Sequence, residues 1–135
     1  WHYDTRHWQQ LEVSQQEEIM GISKIEGTLL PSPLLQTNSH ALMCRLGQPD
    51  NLPQLVMQNM PFAEQNSQGL LSLSYSAEPG TFSRQFAFQL GQPSAEQLPE
   101  NQYDALFDYC HTDLCAAFFA PSLSFLEMAS RTGNS

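Results

Sequence analysis

One hexapeptide, residues 110–115, brings together two cysteines, a histidine and an aspartate. Apolar runs flank it at residues 105–109 and 116–120, which favours a tight hairpin with Cys110 and Cys115 on facing strands. Cysteines placed in this way can reach the Cα separation of about 5.5 Å that a disulfide needs. We therefore predict a disulfide between Cys110 and Cys115 in an oxidising compartment, with two buried free thiols as the main alternative.

Two groups of side chains have the types that bind metal ions. His111 and Asp113 lie between the two cysteines, but ligands crowded into six residues do not match the two-pair spacing of structural zinc sites. His2, Asp4 and His7 lie close together near the start of the chain, where histidines are usually solvated. We therefore predict no metal site.

The sequence carries none of the common catalytic signatures. It has no G-x-S-x-G motif and no glycine-rich phosphate loop. His40 is isolated, and we expect it at the surface or in a loop. Solvation explains the carboxylate pairs Glu17–Glu18 and Asp104–Asp108, of which the second shares a face only if its segment is helical. We therefore predict no catalytic residue, no cofactor and no enzyme.

Composition and charge exclude several kinds of partner. The 135 residues fit one domain, residues 1–135, and 41% of them are hydrophobic. Five basic against 14 acidic side chains give a net charge of −9, which repels nucleic acid and anionic membranes. No apolar stretch approaches the eighteen residues of a membrane span, so we predict no membrane insertion, although an anchor upstream of Trp1 stays open. The acidic, lysine-poor composition favours an extracytoplasmic location, in the periplasm or cell envelope of a bacterium.

Proline and glycine interrupt the sequence at short intervals between residues 21 and 120, which favours strands. We predict strands over residues 22–30, 41–46 and 55–60, with Cys44 as a buried free thiol. Apolar and polar residues alternate through residues 70–90 around Pro79-Gly80, a pair typical of a type II turn. This pattern predicts a β-hairpin.

The two ends of the chain are expected to differ from this central region. Residues 1–20 fit a helix or a strand, with Gly21 placed to end a helix. Residues 121–132 predict a C-terminal helix. The predicted fold is thus mainly β, an antiparallel β-sandwich or barrel-like domain with a C-terminal helix and an optional N-terminal one.

Aromatic side chains at both ends provide a candidate interaction surface. Its members are Trp1, Tyr3, Trp8, Phe118 and Phe119. Since catalytic motifs are missing, we predict a non-enzymatic extracytoplasmic module for binding or assembly, which contacts another protein through this surface or a sheet edge. A carrier of small apolar ligands is the alternative, and a hydrolytic enzyme ranks third.

Overall fold

The computed structural model describes residues 1–48, 55–92 and 102–132. The helices are α1 (Thr5–Trp8), α2 (Val13–Met20), α3 (His40–Gly47), α4 (Gly80–Gln89), a short 3₁₀ helix (Ala105–Asp108) and α5 (Leu123–Thr132). The strands are β1 (His2–Tyr3), β2 (Val56–Glu64), β3 (Ser67–Tyr75) and β4 (Cys110–His111). Among these residues, no helix combines the length and apolarity needed to span a bilayer.

The four strands found among the described residues form one antiparallel sheet in the order β2-β3-β1-β4. Strands β2 and β3 form a long hairpin whose register runs from Val56 opposite Tyr75 to Glu64 opposite Ser67. The short strand β1 joins this hairpin to β4, and Trp1 and Leu70 exchange two backbone hydrogen bonds of 2.9 Å. The sheet therefore links the start of the chain to residues near its end.

Helices α3 and α4 pack closely and run antiparallel. Cys44 contacts Gln89, and Gly47, one turn further along α3, lies against Gln85, one turn earlier in α4. A Cβ atom at Gly47 would lie only 3.0 Å from the Cα atom of Gln85, so the absence of a side chain permits this approach. The packing brings the N-terminal half of α3 beside the C-terminal end of α4.

The buried part of the described chain is unusually polar. Its buried apolar residues are Met43, Phe88 and Cys110. Its buried polar residues are Gln16, Ser39, Thr81, Gln85, Gln89 and Asp104. A buried polar group that lacks a hydrogen-bond partner costs about 1–3 kcal/mol. Partners that constrain the fold are found for Gln16, Gln85, Gln89 and Asp104, whereas the buried Ser39 hydroxyl has none among the described residues.

Two of the predicted strands are helices, so the predicted β-sandwich or barrel is wrong. Residues 41–46 belong to α3, and the second half of the predicted hairpin over residues 70–90 is α4. The buried residues of α4 follow the helical period, at positions 81, 85, 88 and 89. Pro79 has φ −59° and ψ −33° and precedes the first turn of α4 instead of forming a hairpin turn.

Other predictions are confirmed, because their signals are local. The sheet is antiparallel, β2 covers most of residues 55–60, and β3 covers the first half of the predicted hairpin. Helix α5 confirms the C-terminal helix predicted for residues 121–132, and the N-terminal segment is mostly helical, with α2 ending at Gly21. The strand predicted over residues 22–30 is wrong, because these residues form only one isolated bridge, between Ile22 and Leu29.

Replacing Gly69 with alanine tests the packing of β3 against β1. A Cβ atom there would overlap the Trp1 carbonyl oxygen and lie 2.6 Å from the Phe62 ring. We expect Gly69→Ala to lower the free energy of unfolding by roughly 1–3 kcal/mol in urea titrations followed by circular dichroism. Gly80→Ala is the control, because a Cβ at Gly80 meets open space. Equal stability of the two variants would contradict the packing described.

Candidate functional site

The strongest candidate for a functional site is a pair formed by His40 and Asp104, which lie 64 residues apart in sequence. The His40 ring donates a hydrogen bond from Nδ1 to Oδ2 of Asp104 over 2.6 Å. The Asp104 side chain is fully buried, while 28% of the His40 side chain is exposed. A buried carboxylate thus supports a ring that still reaches the surface.

Backbone contacts hold Asp104 in place on both sides. Its own N–H donates to the Gln89 carbonyl at 2.8 Å, and its Oδ1 accepts from the Leu106 N–H at 3.0 Å. The next residue, Ala105, donates its N–H to the carbonyl of Asn38 at 2.9 Å. The 3₁₀ helix is therefore joined both to the end of α4 and to the segment just before α3.

Cys44 and Gln89 complete the cluster around the pair. The Cys44 sulfur lies 3.7 Å from Nε2 and 3.9 Å from Nδ1 of His40. An atom placed where Nε2 would bind a metal would be much farther from Nδ1 than from Nε2. Because the two sulfur distances are nearly equal, the sulfur lies against the ring and does not occupy the metal-binding direction of Nε2. Gln89 donates from Nε2 to Asp104 Oδ2 at 3.3 Å and to the Cys44 sulfur at 3.5 Å.

Two opposed effects set the pKa of His40. Burial lowers this pKa, because a charged ring loses solvation, but the hydrogen bond to Asp104 and the contact with Cys44 raise it to about 10. The attraction of the negative charge on Asp104 acts in the same direction. The ring is consequently protonated at neutral pH when nothing else binds it.

This cluster offers two kinds of chemistry. One ligand atom from each of His40, Cys44 and Asp104 lies within 4.8 Å of the others, which is close enough for a metal ion to be considered. Alternatively, Asp104 orients the ring through Nδ1, and His40 offers Nε2 as a single ligand. A carboxylate that holds a ligating histidine by its second nitrogen is the common arrangement in metal sites.

The predicted disulfide is absent, since all three cysteines are free. Cys110 is buried in β4, opposite Tyr3 of β1, whereas Cys115 is exposed. The chain after His111 does not return as a hairpin strand, so the two sulfurs are not brought together. Burial and the charge of Asp104 raise the pKa of Cys110 to about 11, which keeps it a neutral thiol.

The other histidines considered as metal ligands form contacts outside this site. Asp113 accepts contacts from two rings, at 2.7 Å from His2 Nε2 and 3.0 Å from His111 Nε2. His7 instead contacts Asp4 at 2.6 Å. The three N-terminal residues considered together in the sequence are therefore divided between separate contacts.

The five aromatic residues of the candidate interaction surface do not lie alike. Trp1 stacks on Phe107 with ring centroids 5.5 Å apart, and Trp8 meets Tyr109 edge-on at 5.4 Å. Tyr3, in β1, is partly buried as well. By contrast, Phe118 and Phe119 are 90% and 82% exposed. That these five residues contact another protein stays a prediction.

Sequence reasoning missed the site, although its residues were named. We expect His40 to be isolated and Asp104 to be solvated, yet their side chains share a hydrogen bond of 2.6 Å and Asp104 is fully buried. The spacing of His40 and Cys44, four residues apart, places them on one helical face, but that signal is visible only once residues 40–47 are known to be a helix. Gln89 carried no chemical signal in the sequence.

Comparison with known proteins identifies the family. The sequence model of the C-terminal region of Dyp-type peroxidases matches residues 1–125, so the chain belongs to the Dyp-type peroxidase family. It is 29% identical over 128 residues to a dye-decolorizing peroxidase of Rhodococcus erythropolis and 26% identical over 129 residues to one of Mycobacterium tuberculosis. Both alignments cover 93% of this chain but only 36% and 37% of the relatives, so the chain spans little more than a third of their length.

Solved structures agree with this assignment. A dye-decolorizing peroxidase from Bacteroides thetaiotaomicron superimposes with a TM-score of 0.68 and 26% identity, over 80% of this chain and 33% of its own. A Dyp-type peroxidase protein from Shewanella oneidensis reaches 0.79 at 24% identity, over 94% of this chain and 40% of its own. The fold is accordingly a ferredoxin-like α+β fold with an antiparallel sheet.

The family corrects the function predicted from sequence. A non-enzymatic module acting through protein-protein contact is wrong, because the matching family and relatives are peroxidases. The prediction that the protein is not an enzyme is wrong for the same reason. The motifs that the sequence lacks are typical of hydrolases and nucleotide-binding enzymes, so their absence does not exclude a peroxidase.

The raised pKa of His40 gives a testable dependence of stability on pH. Because the folded pKa of about 10 exceeds the ordinary value of 6.5, the contribution of His40 is complete below pH 6.5 and is lost as pH rises through 10. We expect the free energy of unfolding to fall across this window by at most about 1.4 kcal/mol per pH unit, the value for one proton.

Urea titrations at several pH values measure this slope, with Asp104→Asn and His40→Gln as comparison variants. The first variant removes the charge that favours the protonated ring, and the second removes the ring itself. Both should lose most of the slope between pH 6.5 and 10 that the unmodified chain shows. An identical slope in all three proteins would show that His40 is not protonated by this pair.

Proposed function

We propose that this chain holds heme in a dye-decolorizing peroxidase, and that His40 would bind the iron through Nε2. The observation that carries the proposal is the 2.6 Å hydrogen bond between His40 and the fully buried Asp104. Family membership supports it, as does a neighbour of similar fold, a DypB variant from Rhodococcus jostii that was solved in complex with heme. Peroxidases commonly hold the heme iron through a histidine.

The side chains around His40 are compatible with heme binding through Nε2. Nδ1 of His40 donates its proton in the hydrogen bond to Asp104. Loss of the second ring proton, which is on Nε2, would therefore leave a lone pair on Nε2, the nitrogen that faces away from the carboxylate. The described residues offer Nε2 only the Cys44 sulfur at 3.7 Å, which lies against the ring and does not block its approach to iron. The His40 side chain is 28% exposed, so the ring is accessible from outside the protein.

A small divalent ion bound by His40, Cys44 and Asp104 is less well supported. Two ligands of a tetrahedral zinc ion lie about 3.3 Å apart or more, given metal–ligand distances of roughly 2.0–2.3 Å. His40 Nδ1 and Asp104 Oδ2 are 2.6 Å apart and share a hydrogen bond, so such an ion would have to separate them. Binding through Nε2 preserves the pair, which favours heme.

In this proposal the protein residues hold the heme and adjust the electron donation to its iron, while the cofactor supplies the redox chemistry. Bound heme would supply the redox chemistry by which a peroxide oxidises a dye. Reduction of one hydrogen peroxide to two waters takes two electrons and two protons; the dye is the source of the electrons, and the solvent is the source of the protons. His40 would bind the iron, and Asp104 would fix the ring orientation and increase the electron donation of Nε2. Because Asp104 is fully buried, water does not compete for its contact with the ring.

The proposal does not depend on the predicted location or on the predicted protein partner. The extracytoplasmic location stays a prediction from composition, and so does the contact with another protein. No cofactor followed from the sequence motifs, so heme enters only with the family and the geometry of His40.

Heme titration of the chain and its variants tests the proposal. We expect His40→Gln to weaken hemin binding strongly and to remove the spectral signature of histidine ligation, because the amide cannot replace the imidazole at iron. Asp104→Asn should retain binding with roughly 10–100-fold lower affinity, the usual effect of losing an outer partner of a ligating histidine. Visible absorption spectroscopy measures both effects.

His111→Gln is the matched control, because it makes the same substitution at an exposed histidine outside the cluster. Its hemin affinity and spectrum should equal those of the unmodified chain. The proposal fails if His40→Gln and His111→Gln bind hemin alike.

A further inference from the structure

We propose that Gln89 is a positioning residue for His40, because its amide shares the Asp104 oxygen that accepts the hydrogen bond of the ring. The inference rests on the proposed function, since it concerns the histidine assigned there to iron. It gives Gln89 of α4 a role in the site and predicts how this residue changes the electron donation from His40 to a bound metal.

The geometry places Gln89 against Asp104 twice. The Gln89 carbonyl accepts from the Asp104 N–H at 2.8 Å, and Gln89 Nε2 donates to Asp104 Oδ2 at 3.3 Å. Oδ2 is also the acceptor for His40 Nδ1 at 2.6 Å. Both Gln89 and Asp104 are buried, so neither hydrogen bond competes with bulk water.

Two donors on one carboxylate oxygen divide its negative charge. The Gln89 N–H therefore limits how strongly Oδ2 draws the Nδ1 proton away from His40. A weaker pull on this proton leaves the ring closer to a neutral imidazole and makes Nε2 a weaker electron donor. Outer-shell hydrogen bonds of this kind tune the basicity of a ligating histidine and the potential of its metal. Gln89 would thus keep the iron easier to reduce than Asp104 alone would allow.

The contact with Cys44 helps to orient the side-chain amide of Gln89. Gln89 Nε2 also donates to the Cys44 sulfur at 3.5 Å, and that sulfur lies against the His40 ring. The amide nitrogen is therefore held between the ring's carboxylate partner and the thiol from the same helix as the ring.

Gln85 provides a matched control on the same helix. It lies one turn before Gln89 and is equally buried, with both side chains 6% exposed. Its Oε1 accepts from Gln48 Nε2 at 3.2 Å, outside the cluster around His40. Gln85→Leu therefore removes a buried amide of the same size from α4 without removing a partner of Asp104.

The first experiment uses the chain without heme and records the Nδ1 proton of His40 by nuclear magnetic resonance. In Gln89→Leu this resonance should move downfield, because Asp104 Oδ2 then serves His40 alone and their hydrogen bond strengthens. Gln85→Leu should leave it unchanged. Gln89→Met is a second variant, since its flexible side chain fills the same space if leucine packs poorly.

A merely structural role predicts the opposite direction. If Gln89 only kept Asp104 in place, its loss would let the carboxylate move away, and the His40 resonance would shift upfield or disappear. An upfield, lost or unchanged resonance in both Gln89 variants overturns the proposal.

The second experiment uses the heme-loaded protein. In Gln89→Leu the iron–histidine stretching vibration should rise in frequency, and the ratio of reduced to oxidised heme at a fixed potential should fall by up to roughly tenfold. For a one-electron couple a tenfold fall corresponds to about 59 mV. Gln85→Leu should match the unmodified protein in both measurements, and so should Gln89→Leu if the proposal is wrong.

The two proposals fail in different ways. If His40→Gln keeps the heme spectrum of the unmodified protein, His40 is not the ligand and the proposed function fails. The resonance of the His40 Nδ1 proton, recorded without heme, still tests whether Gln89 acts on the hydrogen bond between His40 and Asp104. If histidine ligation is present but Gln89→Leu and Gln85→Leu behave alike, only the role of Gln89 is overturned.

Discussion

The hydrogen bond between His40 and Asp104 is the interaction on which the rest of the described structure depends. A fully buried carboxylate loses its hydration, and this cost is acceptable only where its oxygens find donors. Here Oδ1 is satisfied by the Leu106 backbone, and Oδ2 by His40 and Gln89. These donors come from three separate segments, so satisfying one side chain fixes α3, the end of α4 and the 3₁₀ helix relative to one another.

The polar character of α4 follows from this requirement. A helix that packed only apolar side chains against α3 would supply no donor to Asp104. Instead α4 buries Thr81, Gln85 and Gln89 beside Phe88, and the missing side chain of Gly47 lets the backbone of α4 approach α3 closely. Part of the stability that a larger apolar core would give is thereby exchanged for a defined arrangement of hydrogen bonds around one histidine.

The same polar face explains which parts of the fold could be predicted from sequence. Strands β2 and β3 and helix α5 follow local apolar patterns, so their positions were predictable. In α4 the alternation of Phe86 and Phe88 with polar residues imitates a strand, because the glutamines that face inward count as exposed in any hydrophobic pattern. The pair itself joins residues 64 apart, and a single sequence contains no signal for so distant a contact.

The error in function has a related physical cause. Hydrolases and nucleotide-binding enzymes assemble reactivity from several side chains, and their motifs record that assembly. A heme enzyme takes its reactivity from the cofactor, so its protein needs chiefly a ligand, the partner that orients it and a shaped environment. One histidine can be the ligand and one aspartate from a distant segment can orient it. Because the two residues are far apart in sequence, they form no short motif with a fixed spacing. The lack of catalytic motifs was therefore evidence against only those enzymes that build their own reactive groups.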